Sequence, residues 1–217
     1  MGFYLLFGTF SSVFGNCTAL EDQESRDLEL RLQAKKMADA VARVARKVNE
    51  TVENEEDFLD LANCQLKAFP VGIYRVMTNV TENIHVISLA NNDMKSLTSK
   101  FITTFCQLHE LNLERNHFSQ LPEEIGTLLH LKTINLSKNK FTEFPEQLTS
   151  VNSLENINLE DNQITDVPVD KLSSMPSLTC VNLKSNPLNA VSLSLSRPAI
   201  KFELLTSAQE GNADIET

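Results

Sequence analysis

The chain has 217 residues and a formal charge of -10, with 41% hydrophobic and 6% aromatic residues, no Trp and 6 Gly. Ample apolar content with so little Gly excludes collagen-like and fully disordered classes, and the length allows one domain or one array with tails. The acidic excess, with no basic run longer than Lys35–Lys36, makes the chain a poor candidate for gripping a phosphate backbone.

Residues 1–25 read as an extension that nothing downstream requires. Phe3 to Phe14 is apolar, but Gly8, Thr9, Ser11 and Ser12 interrupt it and it is too short to span a bilayer. A basic leading region is missing, although Val13-x-Gly15 and Cys17-x-Ala19 fit a cleavage site, so residues 1–19 as a signal peptide remain the alternative. Leu6 stands where a myristoylation signal would place Ser or Thr after Gly2. In residues 26–55, the spacing of Met37, Val41, Val44, Val48 and Val52 predicts an amphipathic helix over about 26–53. Such a helix either caps a neighbouring core or binds a partner or membrane surface.

From residue 56 to 190 the chain repeats itself. Five runs superpose: Ile84-x-x-Ile87-x-Leu89-x-x-Asn92, Leu108-x-x-Leu111-x-Leu113-x-x-Asn116, Leu131-x-x-Ile134-x-Leu136-x-x-Asn139, Leu154-x-x-Ile157-x-Leu159-x-x-Asn162 and Leu178-x-x-Val181-x-Leu183-x-x-Asn186. A partial first copy, Leu59-x-Leu61-x-x-Cys64, has Cys where the others have Asn, and successive spacings are 28, 24, 23, 23 and 24 residues. This is the leucine-rich repeat pattern, in six copies. It predicts an α/β solenoid: curved, with parallel strands lining a concave face, helical or 3₁₀ turns on the convex face, and the residue 26–55 helix as N-terminal cap. The alternating apolar pairs point inward. Asn92, Asn116, Asn139, Asn162 and Asn186 form a buried ladder whose amides bond backbone groups left unpaired by the turn, with Cys64 as a weak substitute donor.

The second half of each repeat carries Phe69-Pro70, Leu121-Pro122, Phe144-Pro145 and Val167-Pro168, with Thr98 replacing Pro in the second copy. Proline opening a helical turn is tolerated because the first amides have no internal partner. Residues 191–206, with Val191, Leu193, Leu195, Ile200, Phe202, Leu204 and Leu205, are expected to cover the last repeat, and residues 207–217 to be a polar tail.

The 23-residue form with Leu-Pro or Phe-Pro after the Asn turn resembles the intracellular, Ras-suppressor-like class of leucine-rich repeats. Met37 to Val52, Phe69 to Tyr74, Leu97 to Phe101 and Asn186 to Ala190 carry the resemblance, which covers about residues 35–205. It implies a small stand-alone repeat protein and brings no catalytic residue, substrate or cofactor. The thiols Cys17, Cys64, Cys106 and Cys180 are too scattered for a disulfide framework or a zinc site, and extracellular arrays of this kind carry Cys-rich caps. A cytoplasmic address is therefore expected, with a secreted or luminal one as the alternative. The sequons at Asn16, Asn49, Asn79 and Asn135 matter only in that second case.

No phosphate loop, nucleophile elbow, His-Glu-x-x-His or kinase signature occurs, and the expectation is a non-enzyme without cofactor or small-molecule substrate. The best contrary feature is a column, Asp57, His85 and His109, continued by Lys132 and Glu155. Stacked side chains there point in parallel rather than converging on a metal. Function is expected on the concave face. Its central column reads Asp60, Ser88, Asn112, Asn135, Asn158 and Asn182, with Glu110, Glu114, Arg115, Lys138, Glu160 and Asp161 beside it. Asn is a poor strand former, so this row is either a set of amides that donate and accept to a partner, or tolerated Asn pairing laterally along the stack. The mixed charge suits a folded protein partner in a wet, charge-complementary interface; no nucleic acid or membrane is expected to bind, and a monomer is expected.

Overall fold

The structure is a computed structural model. It describes the backbone of residues 10–189 and 200–207, and the side chains of residues 26–189 and 200–207. The chain divides into two compact units, residues 1–43 and 44–217.

Among the described residues there are seven short strands, the first six produced by the repeating apolar positions: β1 Phe58–Asp60, β2 Val86–Ser88, β3 Glu110–Asn112, β4 Thr133–Asn135, β5 Asn156–Asn158, β6 Cys180–Asn182 and β7 Glu203–Leu205. They form one parallel sheet in sequence order. Register is held by burial, because a one-residue slip would turn the core positions to solvent. Leu59, Ile87, Leu111, Ile134, Ile157 and Val181 therefore stand in register, each at most 1% exposed. Burying each contributes roughly 2 kcal/mol, but only with neighbouring repeats in place.

Opposite the sheet run short turns: α2 Val71–Val76, α3 Ser99–Thr104, α4 Val169–Ser173 and 3₁₀ turns at Glu123–Thr127 and Glu146–Ser150. Pro70, Pro122, Pro145 and Pro168 sit at the N-cap, one residue before the first helical position. Thr98 does the same work differently: its hydroxyl accepts from the Phe101 N–H. Phe101 and Phe105, both fully buried, then fill the space under the second repeat.

Two expectations are corrected. The N-terminal helix, α1, runs Phe10–Glu53, well upstream of residue 26. Residues 21–36 are rich in Glu, Gln, Arg, Lys, Leu and Ala, strong helix formers without apolar periodicity, so a boundary drawn from periodicity falls too late. The apolar stripe is also buried over a shorter length than predicted. Val44 and Val48 are 9% and 3% exposed and Val52 packs on the core, but Met37 and Val41 are 69% and 68% exposed. A three-residue strand spans about 10 Å, which about seven helical residues cover. Val44 to Thr51 supplies that length. Thr51 Oγ1 donates to the Phe58 carbonyl, and Lys47 Nζ bonds Asp60 Oδ2 at 2.8 Å.

At the other end, the expected cap contributes a strand. β7 pairs with β6, with Leu183 N–H donating to Leu205 O and Glu203 N–H to Thr179 O. This satisfies groups that β6 would otherwise expose at an edge. Phe202 is buried, and Ile200 and Leu204 pack on the core. Val191, Leu193 and Leu195, and most of the residue 207–217 tail, lie outside the described residues, as do the side chains of residues 1–25.

Candidate functional site

The turn that follows each strand fixes the site. The residue before each ladder position, Asn63, Asn91, Arg115, Lys138, Asp161 and Ser185, has φ between 51° and 59°. That left-handed conformation reverses the chain and leaves several amides and carbonyls pointing inward. The ladder asparagines meet them. Asn139 Oδ1 accepts from Phe118 N–H, while its Nδ2 donates to Leu136 O and Ser137 O of its own turn and to Leu113 O of the preceding repeat. Asn116 and Asn162 make the same set. Asn186 does too, and Asn92 Oδ1 additionally serves both Cys64 N–H and Leu66 N–H. The ladder is therefore directional, each carboxamide serving its own turn and the repeat before it. Cys64 has no preceding repeat to serve, and its Sγ lies 3.4 Å from Ala62 O, within reach of a weak S–H donation. That accounts for the missing Asn.

The candidate face is the outward side of the strands. Asp60, Ser88, Asn112, Asn135, Asn158 and Asn182 are register partners on β1 to β6, as the spacing predicts, and all are half-buried. Their carboxamides are not free at both ends, as the sequence allowed. Asn112 Oδ1 accepts from Glu114 N–H, Asn135 Oδ1 from Ser137 N–H, Asn158 Oδ1 from Glu160 N–H and Asn182 Oδ1 from Lys184 N–H, at 3.0–3.1 Å. Asp60 Oδ1 does the same for Ala62 N–H at 2.9 Å. Each is an Asx turn, the side-chain oxygen bonding the backbone two residues on as the strand ends. Five Asn or Asp residues in one column are the sequence signal for it.

The donor ends differ. Asn182 Nδ2 bonds Glu160 Oε2 at 3.0 Å, whereas the Nδ2 groups of Asn112, Asn135 and Asn158 make no hydrogen bond among the described residues. Glu110 lies exposed on β3, and Glu114 and Glu160 stand two residues past the central column, half-buried. Arg115, Lys138 and Asp161 occupy the left-handed turn positions rather than a strand column. Lys138 Nζ reaches back to Glu114 Oε1 at 2.7 Å. Phe58, 44% exposed, stands beside half-buried Val86, so this face has an apolar end that the polar columns did not announce.

The histidine column forms a stack. The rings of His85 and His109 are 4.6 Å apart, and His130 stands 6.0 Å from His109. His85 Nδ1 lies 3.1 Å from the Gln107 carbonyl. Burial, then His85, His130 and Lys132, hold the His109 imidazole below its ordinary value. Among the described residues, no three His, Cys, Asp or Glu side chains are placed to share a metal ion. Cys64 is buried, Cys106 exposed and Cys180 half-buried, and burial with nearby Glu203 raises the Cys180 thiol away from thiolate. No described helix is long and apolar enough to cross a membrane.

Comparison with known proteins agrees with this geometry. Residues 45–196 match the family model described as a leucine-rich repeat region. A Mus musculus protein named leucine-rich repeat-containing protein 20 is 64% identical over 179 residues, covering 82% of this chain and 97% of the mouse protein. The Homo sapiens protein of that name is 60% identical over 181 residues, 83% of this chain and 98% of its own length. Among solved structures, a Leptospira interrogans leucine-rich repeat protein superposes with a TM-score of 0.51 at 24% identity, over 60% of this chain and 38% of that one. The TLR13–ssRNA13 complex gives 0.56 at 20% identity, over 68% and 21%. At these identities the two structures show the shared fold alone.

Proposed function

The chain belongs to the leucine-rich repeat family, and from that premise we propose that it is a non-catalytic protein-interaction module that binds a protein partner through its strand-lined face. One observation carries the proposal. Six consecutive strands hold Asp60, Ser88, Asn112, Asn135, Asn158 and Asn182 in one register, each fixed by its strand and most by an Asx turn. A surface already ordered loses little side-chain entropy when a partner docks, so binding energy is not spent on arranging it. The polar, mixed-charge columns favour a wet interface over a lipid or an apolar ligand. The wide scatter of the four cysteines along the sequence supports a cytoplasmic address.

The test is partner capture from cells, comparing wild type with an Asn112→Asp, Asn135→Asp, Asn158→Asp variant. The Asp60 turn shows that a carboxylate keeps this fold, so the variant alters the face without removing its turns. A protein retained by wild type and lost by the folded variant supports the proposal. Equal retention by both moves the site to the outer wall or to α1.

A further inference from the structure

We infer that the strand-lined face selects an α-helix presenting uncharged hydrogen-bond acceptors one turn apart, flanked by Lys or Arg. The inference rests on the strand-lined face being the binding surface. Each Asn oxygen already accepts from its own turn, so the groups of the row with no partner among the described residues are donors, the Nδ2 groups of Asn112, Asn135 and Asn158. A ligand must bring acceptors to match them. The three side chains stand on neighbouring parallel strands in register, so the row advances about 4.8 Å per repeat, across the strands.

That spacing discriminates between ligand backbones. In an extended peptide, residues on one side recur about every 6.8 Å, so the third acceptor would miss the third donor by about 4 Å. A helix lying across the strands advances about 5.4 Å per turn, and residues i, i+4 and i+7 span about 10.5 Å against the 9.6 Å or so of the row. The mismatch is about 1 Å, within side-chain reach.

Charge sets the rest of the ligand. Glu110, Glu114 and Glu160 stand beside the row against Lys138, while Arg115 and Asp161 offset one another. Carboxylate acceptors would be repelled there, which leaves Gln, Asn, Ser or Thr as the acceptor side chains. Glu110 is exposed and in no ion pair among the described residues, and it fits a Lys or Arg beside the first acceptor. Phe58 and Val86 provide an apolar contact for a further turn at one end.

The test selects two displayed peptide libraries on the full-length chain. One is a rigid helix with a randomised face and the other a set of extended, proline-flanked peptides. Recovered ligands are then measured against the triple Asp variant, and against a triple Ser variant that copies the residue at Ser88, which shortens the donor arm without adding charge. The inference predicts helical ligands with Gln, Asn, Ser or Thr at i, i+3 or i+4, and i+7, bound about tenfold or more weakly by both variants, with melting temperatures checked for folding. Extended ligands that lose binding in the variants would overturn the helix assignment while leaving the face in place. Ligands indifferent to both variants, or no ligand from either library, would overturn the helix and the face together. Wild type sedimenting as a dimer that the variants abolish would assign the face to a second copy and also overturn the helical ligand.

Discussion

Two sets of asparagines use the same carboxamide for different ends. The ladder residues spend every polar atom on backbone, so Asn139→Ala should leave Phe118 N–H and three carbonyls without that partner and cost about 3 kcal/mol or more. Cys64→Ala, which removes the weak thiol bond to Ala62 O at the start of the ladder, should cost less, about 1 kcal/mol. Equal losses in denaturant melts would show that the ladder has no direction. The histidine stack gives a pH prediction. His109 is held below its ordinary value in the folded state, so the unfolded chain takes up the proton first. Stability should therefore fall as pH drops through the ordinary His range near 6.5, levelling off below the lowered folded value. His85, His130 and Lys132 face this ring, and Lys132 itself lies 3.5 Å from Glu155. A His109→Gln variant should lose less melting temperature between pH 7.5 and 5.5 than wild type; parallel curves would contradict the assignment.

At the scale of elements, α1 separates what packing requires from what propensity allows. Val48→Ala should cost about 2 kcal/mol because it opens a cavity under the cap, whereas Met37→Ala, at an exposed position, should change stability by less than about 0.5 kcal/mol. Similar losses from both, measured by denaturant unfolding, would contradict the burial pattern. The same helix marks the limit of what the sequence made legible. The six repeat strands, their register and the ladder were readable because apolar and Asn positions recur with a fixed period. The start of α1 was not, since its polar residues favour a helix without leaving a periodic trace. β7 was not, because Glu203-Leu204-Leu205 lacks the full repeat signature and forms to satisfy an open sheet edge. On the face, the position of each Asn was legible but its hydrogen-bond polarity was not, since an exposed amide can be oriented either way until the turn beneath it is known.

For the whole molecule, the repeats supply one another's core, so stability and surface come from the same stack. The sheet's inward column holds the array together and its outward column displays side chains that the fold has already ordered. The proposed cytoplasmic address predicts that intact mass of the protein recovered from cells shows neither cleavage near residue 19 nor glycan on Asn49, Asn79 or Asn135, and either modification would contradict it. In the proposed interface, an asparagine of the strand-lined face serves the fold with its oxygen and a partner with its NH₂. This dual role is tested most directly by Asn135→Asp on the central strand, measuring melting temperature and affinity for the captured partner on the same sample. The melting temperature should stay close to wild type, because the carboxylate still accepts from Ser137 N–H and Oγ, while the affinity falls about fivefold or more. Wild-type affinity in a folded Asn135→Asp protein would contradict it.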